Sequence, residues 1–140
     1  MNIIMTKRDL EKIDRCLNRM ISSTLAHCIL LIHRSGQLIT HIGEMPGAET
    51  PAADILSLSA LTAANFGATA EIARLLGERE FTLLFHKGRN ENVYFSAVGE
   101  HVIMVTLFDD KTSLGLVRLQ MHKITDELSN ILSSIFDLAR

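Results

Sequence analysis

The chain has 140 residues, with 14 Lys and Arg against 16 Asp and Glu and a formal charge of -2. That length suits one domain, residues 1–140, able to bury roughly two-thirds of its unfolded surface; the charge argues against a nucleic-acid partner, because duplex affinity rests on a basic patch that neutralises phosphates. Cys16 and Cys28 read as small hydrophobes, without zinc or redox spacing and without a disulfide framework, which fits a reducing compartment.

Thr6 is an N-cap with Asp9 as a capping-box partner. Leu10, Ile13, Leu17 and Ile21 then make one helical stripe, ending at Ser22 to Thr24. His27 to Ile32 is nearly continuous apolar, as in a strand buried on both faces. Ser35-Gly36 turns the chain, and Gln37 to Ile42 returns as a second strand. The longest loop runs from Gly43 to Pro51. Thr50 and Pro51 then serve as N-cap and N1 of a helix ending near Leu76, with Gly77 as its C′ residue.

On a 3.6-residue wheel this second helix has two unlike sides. Ile55, Leu58, Thr62, Phe66, Thr69 and Ala73 face the sheet. Leu56, Ala60, Ala63, Gly67, Ala70 and Arg74 face nearly the opposite way, with few large side chains and little charge. Gly67 costs roughly 1 kcal/mol relative to Ala inside a helix. Two readings stand: alanine is simply the best helix former, or the flat face lets another backbone approach.

Phe81, Leu83 and Phe85 alternate with Thr82, Leu84 and His86 as a third strand. Val93 to Val98 is the fourth, Gly99-Glu100 a two-residue hairpin turn, and Val102 to Phe108 the fifth. Asp109 and Asp110 suit the dipole of a last helix capped by Thr112 or Ser113. In that helix Leu114, Val117, Met121, Ile124, Leu128, Ile131 and Ile135 form a heptad-like seam for another helix. The order is α-ββ-α-βββ-α, an α+β fold with a five-stranded antiparallel sheet.

Catalytic patterns are missing. The histidines His27, His33, His41, His86, His101 and His122 form no helical metal pair, and single ones read as surface or turn residues. Asp109-Asp110 lacks further oxygen ligands in sequence and reads as capping. Phosphate-binding glycine loops and the Gly-x-Ser-x-Gly elbow do not occur. Arg74, Arg79, Arg89 and Arg118 read as solubilising charge. The expectation is a non-enzymatic interaction module with no cofactor and no metal. Apolar runs such as Cys28 to Ile32 are too short to span a bilayer, and the start of the chain reverses the order of a secretory signal, so the expected location is cytoplasmic, without membrane insertion.

Three stretches resemble the Roadblock/dynein light-chain family, in its bacterial MglB-like branch: Ile29-Leu30-Leu31-Ile32-His33-Arg34-Ser35-Gly36-Gln37-Leu38-Ile39; Leu75-Leu76-Gly77-Glu78-Arg79-Glu80; and Thr112-Ser113-Leu114-Gly115-Leu116-Val117-Arg118. The likeness covers about Leu10 to Leu128. His33 departs from it, where many relatives carry an acidic residue before the turn. The resemblance implies helices on both sheet faces and a homodimer in which helix two packs on its mate and strand three pairs with its mate. It also implies binding to a small Ras-like, MglA-like GTPase in polarity and motility. The interface residues it suggests, with the wheel reading, are Leu56, Ala60, Ala63, Gly67, Ala70, Arg74, Phe81, Leu83 and Phe85. A tethering scaffold and a small-molecule sensor are the alternatives; the single tyrosine, Tyr94, and the absence of tryptophan disfavour an aromatic-lined sensor pocket.

Overall fold

A computed structural model describes residues 5–47, 49–81 and 84–138, with side chains up to residue 136. The elements are α1 (Lys7–Thr24), β1 (Cys28–His33), β2 (Leu38–Gly43), α2 (Pro51–Leu75), β3 (Leu84–Lys87), β4 (Glu91–Val98), β5 (Val102–Asp109) and α3 (Leu114–Leu138). The strands form one antiparallel sheet in the order β2-β1-β5-β4-β3. The α+β order expected from the sequence holds throughout.

The two-residue period of a strand sorts the sheet's side chains into two cores. Ile29, Leu31, Tyr94, Val98, Val102, Met104 and Phe108 meet α1 and α3 on one face. Cys28, Leu30, Ile32, Phe95, Ile103, Val105 and Leu107 point to the other face, where α2 supplies Ile55. Both central strands β1 and β5 are buried on both sides, hence their unbroken apolar runs. The α3 seam is as expected, with Val117, Met121, Ile124, Leu128 and Ile135 buried, and Leu132 and Phe136 extend it. On α1 the stripe broadens to include Cys16 and Met20.

Local chemistry sets the element ends. Thr6 and Asp9 form a reciprocal capping box at α1. Gly77, at φ +77°, closes α2 as a Schellman motif: Glu78 N–H donates to the Ala73 carbonyl and Gly77 N–H to that of Arg74. Pro51 occupies N1 of α2, but the Thr50 side chain makes no capping bond. Ser113 Oγ accepts from Leu116 N–H at 3.1 Å and caps α3. The aspartates before it have other work: Asp109 accepts from Lys111 N–H, and Asp110 from Lys87 and Asn92.

Two strand expectations are corrected. β3 begins at Leu84, so Phe81 stands outside it, while Thr82 and Leu83 lie outside the described residues. The β4–β5 connection is a three-residue loop, Gly99 to His101, because Val98 pairs with Val102. Gly99 does supply the positive φ, +66°, at the first loop position.

Candidate interaction surface

α2 has 25 residues, about 38 Å at 1.5 Å per residue, and lies over β1. Of its side chains only Ile55, Ser59, Thr62 and Ala73 are buried. Ser59 Oγ donates to the Ile55 carbonyl at 2.8 Å, which lets a hydroxyl enter the core. Leu58, Phe66 and Thr69 are half-buried, so the stripe expected to cover the sheet does so.

Much of the rest of α2 is apolar and open. Leu56, Leu61, Ile72 and Leu75, with Leu76 at the C-cap, are 60, 67, 52, 72 and 69% exposed. A helix apolar all round is normally buried on all sides. By length and composition α2 is also the one helix among the described residues apolar enough to cross a membrane. Short apolar runs do not reveal this property, because the apolar residues are spread along 25 positions rather than consecutive.

The expected site residues divide. Leu56, Ala60, Gly67, Ala70 and Arg74 are exposed on α2. Ala63 is half-buried, because the β1–β2 turn rests there: a Cβ on Gly36 would meet Ala60 Cα at 3.5 Å and Ala63 Cβ at 3.8 Å. Part of the flat face therefore serves an internal contact. Gly67 does not, since a Cβ there would meet nothing within 4 Å among the described residues. Phe81 is 36% exposed and follows α2. Phe85 belongs elsewhere: it is half-buried on the α1/α3 face, stacked on Phe108 with ring centroids 6.0 Å apart. Only the backbone of β3, an outer strand of this sheet, remains for pairing at that position. Leu83 lies outside the described residues.

At 100° per residue the small-residue stripe is about 120° from the core stripe rather than opposite it. Leu61, Ile72 and Leu75 occupy the third side and were missed. The signal was available: three large apolar residues at helical spacing, on a side that the sheet does not reach.

Charge near this surface is mostly committed. Arg74 Nε donates to Glu71 Oε1 at 2.8 Å, an exposed pair on the helix itself. Arg34, which sequence reasoning passed over, sits in the β1–β2 turn with its guanidinium 5.3 Å from the centroid of Phe66. Its backbone N–H donates to the His101 carbonyl at 2.9 Å. Beneath the sheet's α2 face, burial pushes the Cys28 thiol up to about 11, so it is a neutral core group.

Comparison with known proteins follows the same outline. The Roadblock/LC7 domain profile matches residues 12–108. The chain is similar to MglB of Myxococcus xanthus, at 38% identity over 94% of this chain and 96% of that one, with a TM-score of 0.82. It is similar to the gliding protein MglB of Thermus thermophilus, at 29% identity over 93% and 95%, TM-score 0.81. An MglB with a tetrameric arrangement aligns at 28% identity over 96% and 97%, TM-score 0.85. Among curated proteins nothing matches.

Proposed function

Because this chain belongs to the Roadblock/LC7 family, and within it resembles the MglB proteins over nearly its whole length, we propose that it is a homodimeric, non-enzymatic regulator of a small Ras-like, MglA-like GTPase. The observation that carries this reading is the uncovered apolar surface of α2 around Leu61, Ile72 and Leu75. Burial of each such side chain stabilises an interface by about 1.5–3 kcal/mol, so a second molecule has much to gain there. One side of α2 takes the dimer mate and another the GTPase. The small-residue side, with Leu56, Ala60, Gly67 and Ala70, suits close backbone approach; the Leu61 side suits large-residue packing. Phe81 flanks the surface, and the outer edge of β3 suits strand pairing with the mate.

Regulation then works through the partner's own catalytic groups. Arg74 is tied to Glu71, and Arg79 lies past the helix end, so neither is poised as an inserted arginine. The dimer holds the GTPase switch segments in their hydrolytic arrangement.

The test is capture of a Ras-like GTPase from the same genome, loaded in turn with GDP and a non-hydrolysable GTP analogue, followed by a turnover assay. Capture confined to the triphosphate state, with faster hydrolysis, is the expected result. Equal capture in both states would make the chain a scaffold. Activation lost in Arg74→Ala or Arg79→Ala, with binding intact, would return the role to an arginine.

A further inference from the structure

Three strand ends meet at one corner of the sheet. His27 directly precedes β1, Glu91 opens β4 and Asp109 closes β5, and these strands are neighbours in the order β1-β5-β4. Glu91 and Asp109 are cross-strand partners. His27 Nε2 lies 3.1 Å from Asp109 Oδ2 and 3.4 Å from Glu91 Oε1, and one ligand atom from each residue lies within 4.8 Å of the other two.

Proximity alone would describe an ion pair, but the hydrogen-bond geometry does not. His27 Nε2 and Glu91 Oε2 are both shut off from solvent, and neither has a hydrogen-bond partner among the described residues. The oxygens flank the ring nitrogen without either being aligned with it. Ligand atoms at about 2.0–2.1 Å from a tetrahedral ion stand about 3.3–3.4 Å apart, close to the 3.1 and 3.4 Å that separate His27 Nε2 from the two carboxylates.

The frame is also built to hold its shape. His27 N–H donates to the Leu107 carbonyl at 2.8 Å, and the His27 carbonyl accepts from Glu44 N–H at 3.0 Å. Gly43 presses on that carbonyl so closely that a Cβ would stand 2.1 Å from its oxygen. The second oxygen of Asp109 accepts from Lys111 N–H at 2.8 Å, the kind of outer contact that orients a metal-binding carboxylate. The neighbouring Lys87 is engaged by Asp110 instead.

We propose that His27, Glu91 and Asp109 bind a divalent first-row transition ion of the zinc type, with the remaining position open to water. One imidazole nitrogen and two carboxylate oxygens suit such an ion, and its charge offsets both carboxylates. The ion clips β1, β5 and β4 together at the sheet end remote from the β1–β2 turn. The proposal stands independently of the GTPase reading.

The test uses the full chain stripped with a chelator and titrated with zinc by calorimetry, with cobalt as a spectroscopic probe. Expected are one zinc per chain, a zinc-dependent rise in melting temperature, and cobalt bands in the visible range typical of low coordination number. His27→Gln, Glu91→Gln and Asp109→Asn should each weaken binding roughly tenfold or more, while His122→Gln, on the exposed surface of α3, should leave it unchanged. Circular dichroism checks that each variant is folded. The proposal is overturned if the unaltered chain takes up no zinc, or if folded triad variants bind as well as it does. In that event the triad is a polar contact between three strand ends.

Discussion

At the scale of single residues, two side chains are held in costly states. Leu25 ends α1 in the left-handed region, at φ +61°, with its side chain 68% exposed. Such a conformation costs a non-glycine residue about 1–2 kcal/mol, and its burial returns little. Leu25→Gly should therefore raise stability by about 0.5–1 kcal/mol after the entropy of glycine is counted, as a higher urea midpoint with unchanged slope. His33, buried, stacks on His101 with parallel rings 6.2 Å apart and leans on Phe136. Burial first, then the charges of His101 and Arg34, hold its imidazole below the usual value of 6.5. The unfolded chain thus takes up this proton before the folded one does. The contribution of His33 is complete above pH 6.5 and is lost as pH falls through its lowered folded value. Denaturation at a series of pH values should show stability falling from about pH 6.5 down to that lowered value, with a shallower fall in His33→Asn.

At the scale of elements, α2 is the segment whose sequence and packing disagree. Gly67 lowers helix stability, yet among the described residues nothing occupies the space that a Cβ would take. Gly67→Ala should stabilise the isolated protomer by about 1 kcal/mol. If the partner's backbone packs there, the same change should weaken self-association, measured by sedimentation across a dilution series. A gain in stability with unaltered association would move the dimer contact to the Leu61 side. The ends and seams of α1, α2 and α3 were legible because caps and stripes are local: Thr6 with Asp9, Gly77 after Leu76, Val117 to Ile135 at alternating three- and four-residue steps. The start of β3 was not legible. Phe81 to His86 alternates like a strand, but pairing with β4 begins only at Leu84 among the described residues, and no local rule fixes where a partner strand begins.

At the scale of the whole molecule, the two sheet faces are unequal. Two helices seal one face, while α2 only partly covers the other and keeps its large apolar residues outside. The double change Leu61→Glu, Ile72→Glu should leave the protomer folded, since both residues are more than half exposed, and, if the proposed homodimer packs through this side, should convert it to monomer. Light scattering reads the mass and circular dichroism the fold. An unchanged mass would exclude the Leu61 side from the dimer contact and leave it for another partner.

The sequence by itself determined the element order, the buried runs of the central strands and the presence of an underused helix surface, because periodicity and capping depend on residues within a few positions of one another. Tertiary structure alone decided the rest. It turned Phe85 toward α1 and α3, spent Ala63 on the Gly36 turn, and gathered His27, Glu91 and Asp109, far apart in sequence, at one corner. Strand order and register set those meetings, and both follow from long-range pairing that residue spacing along the chain does not encode.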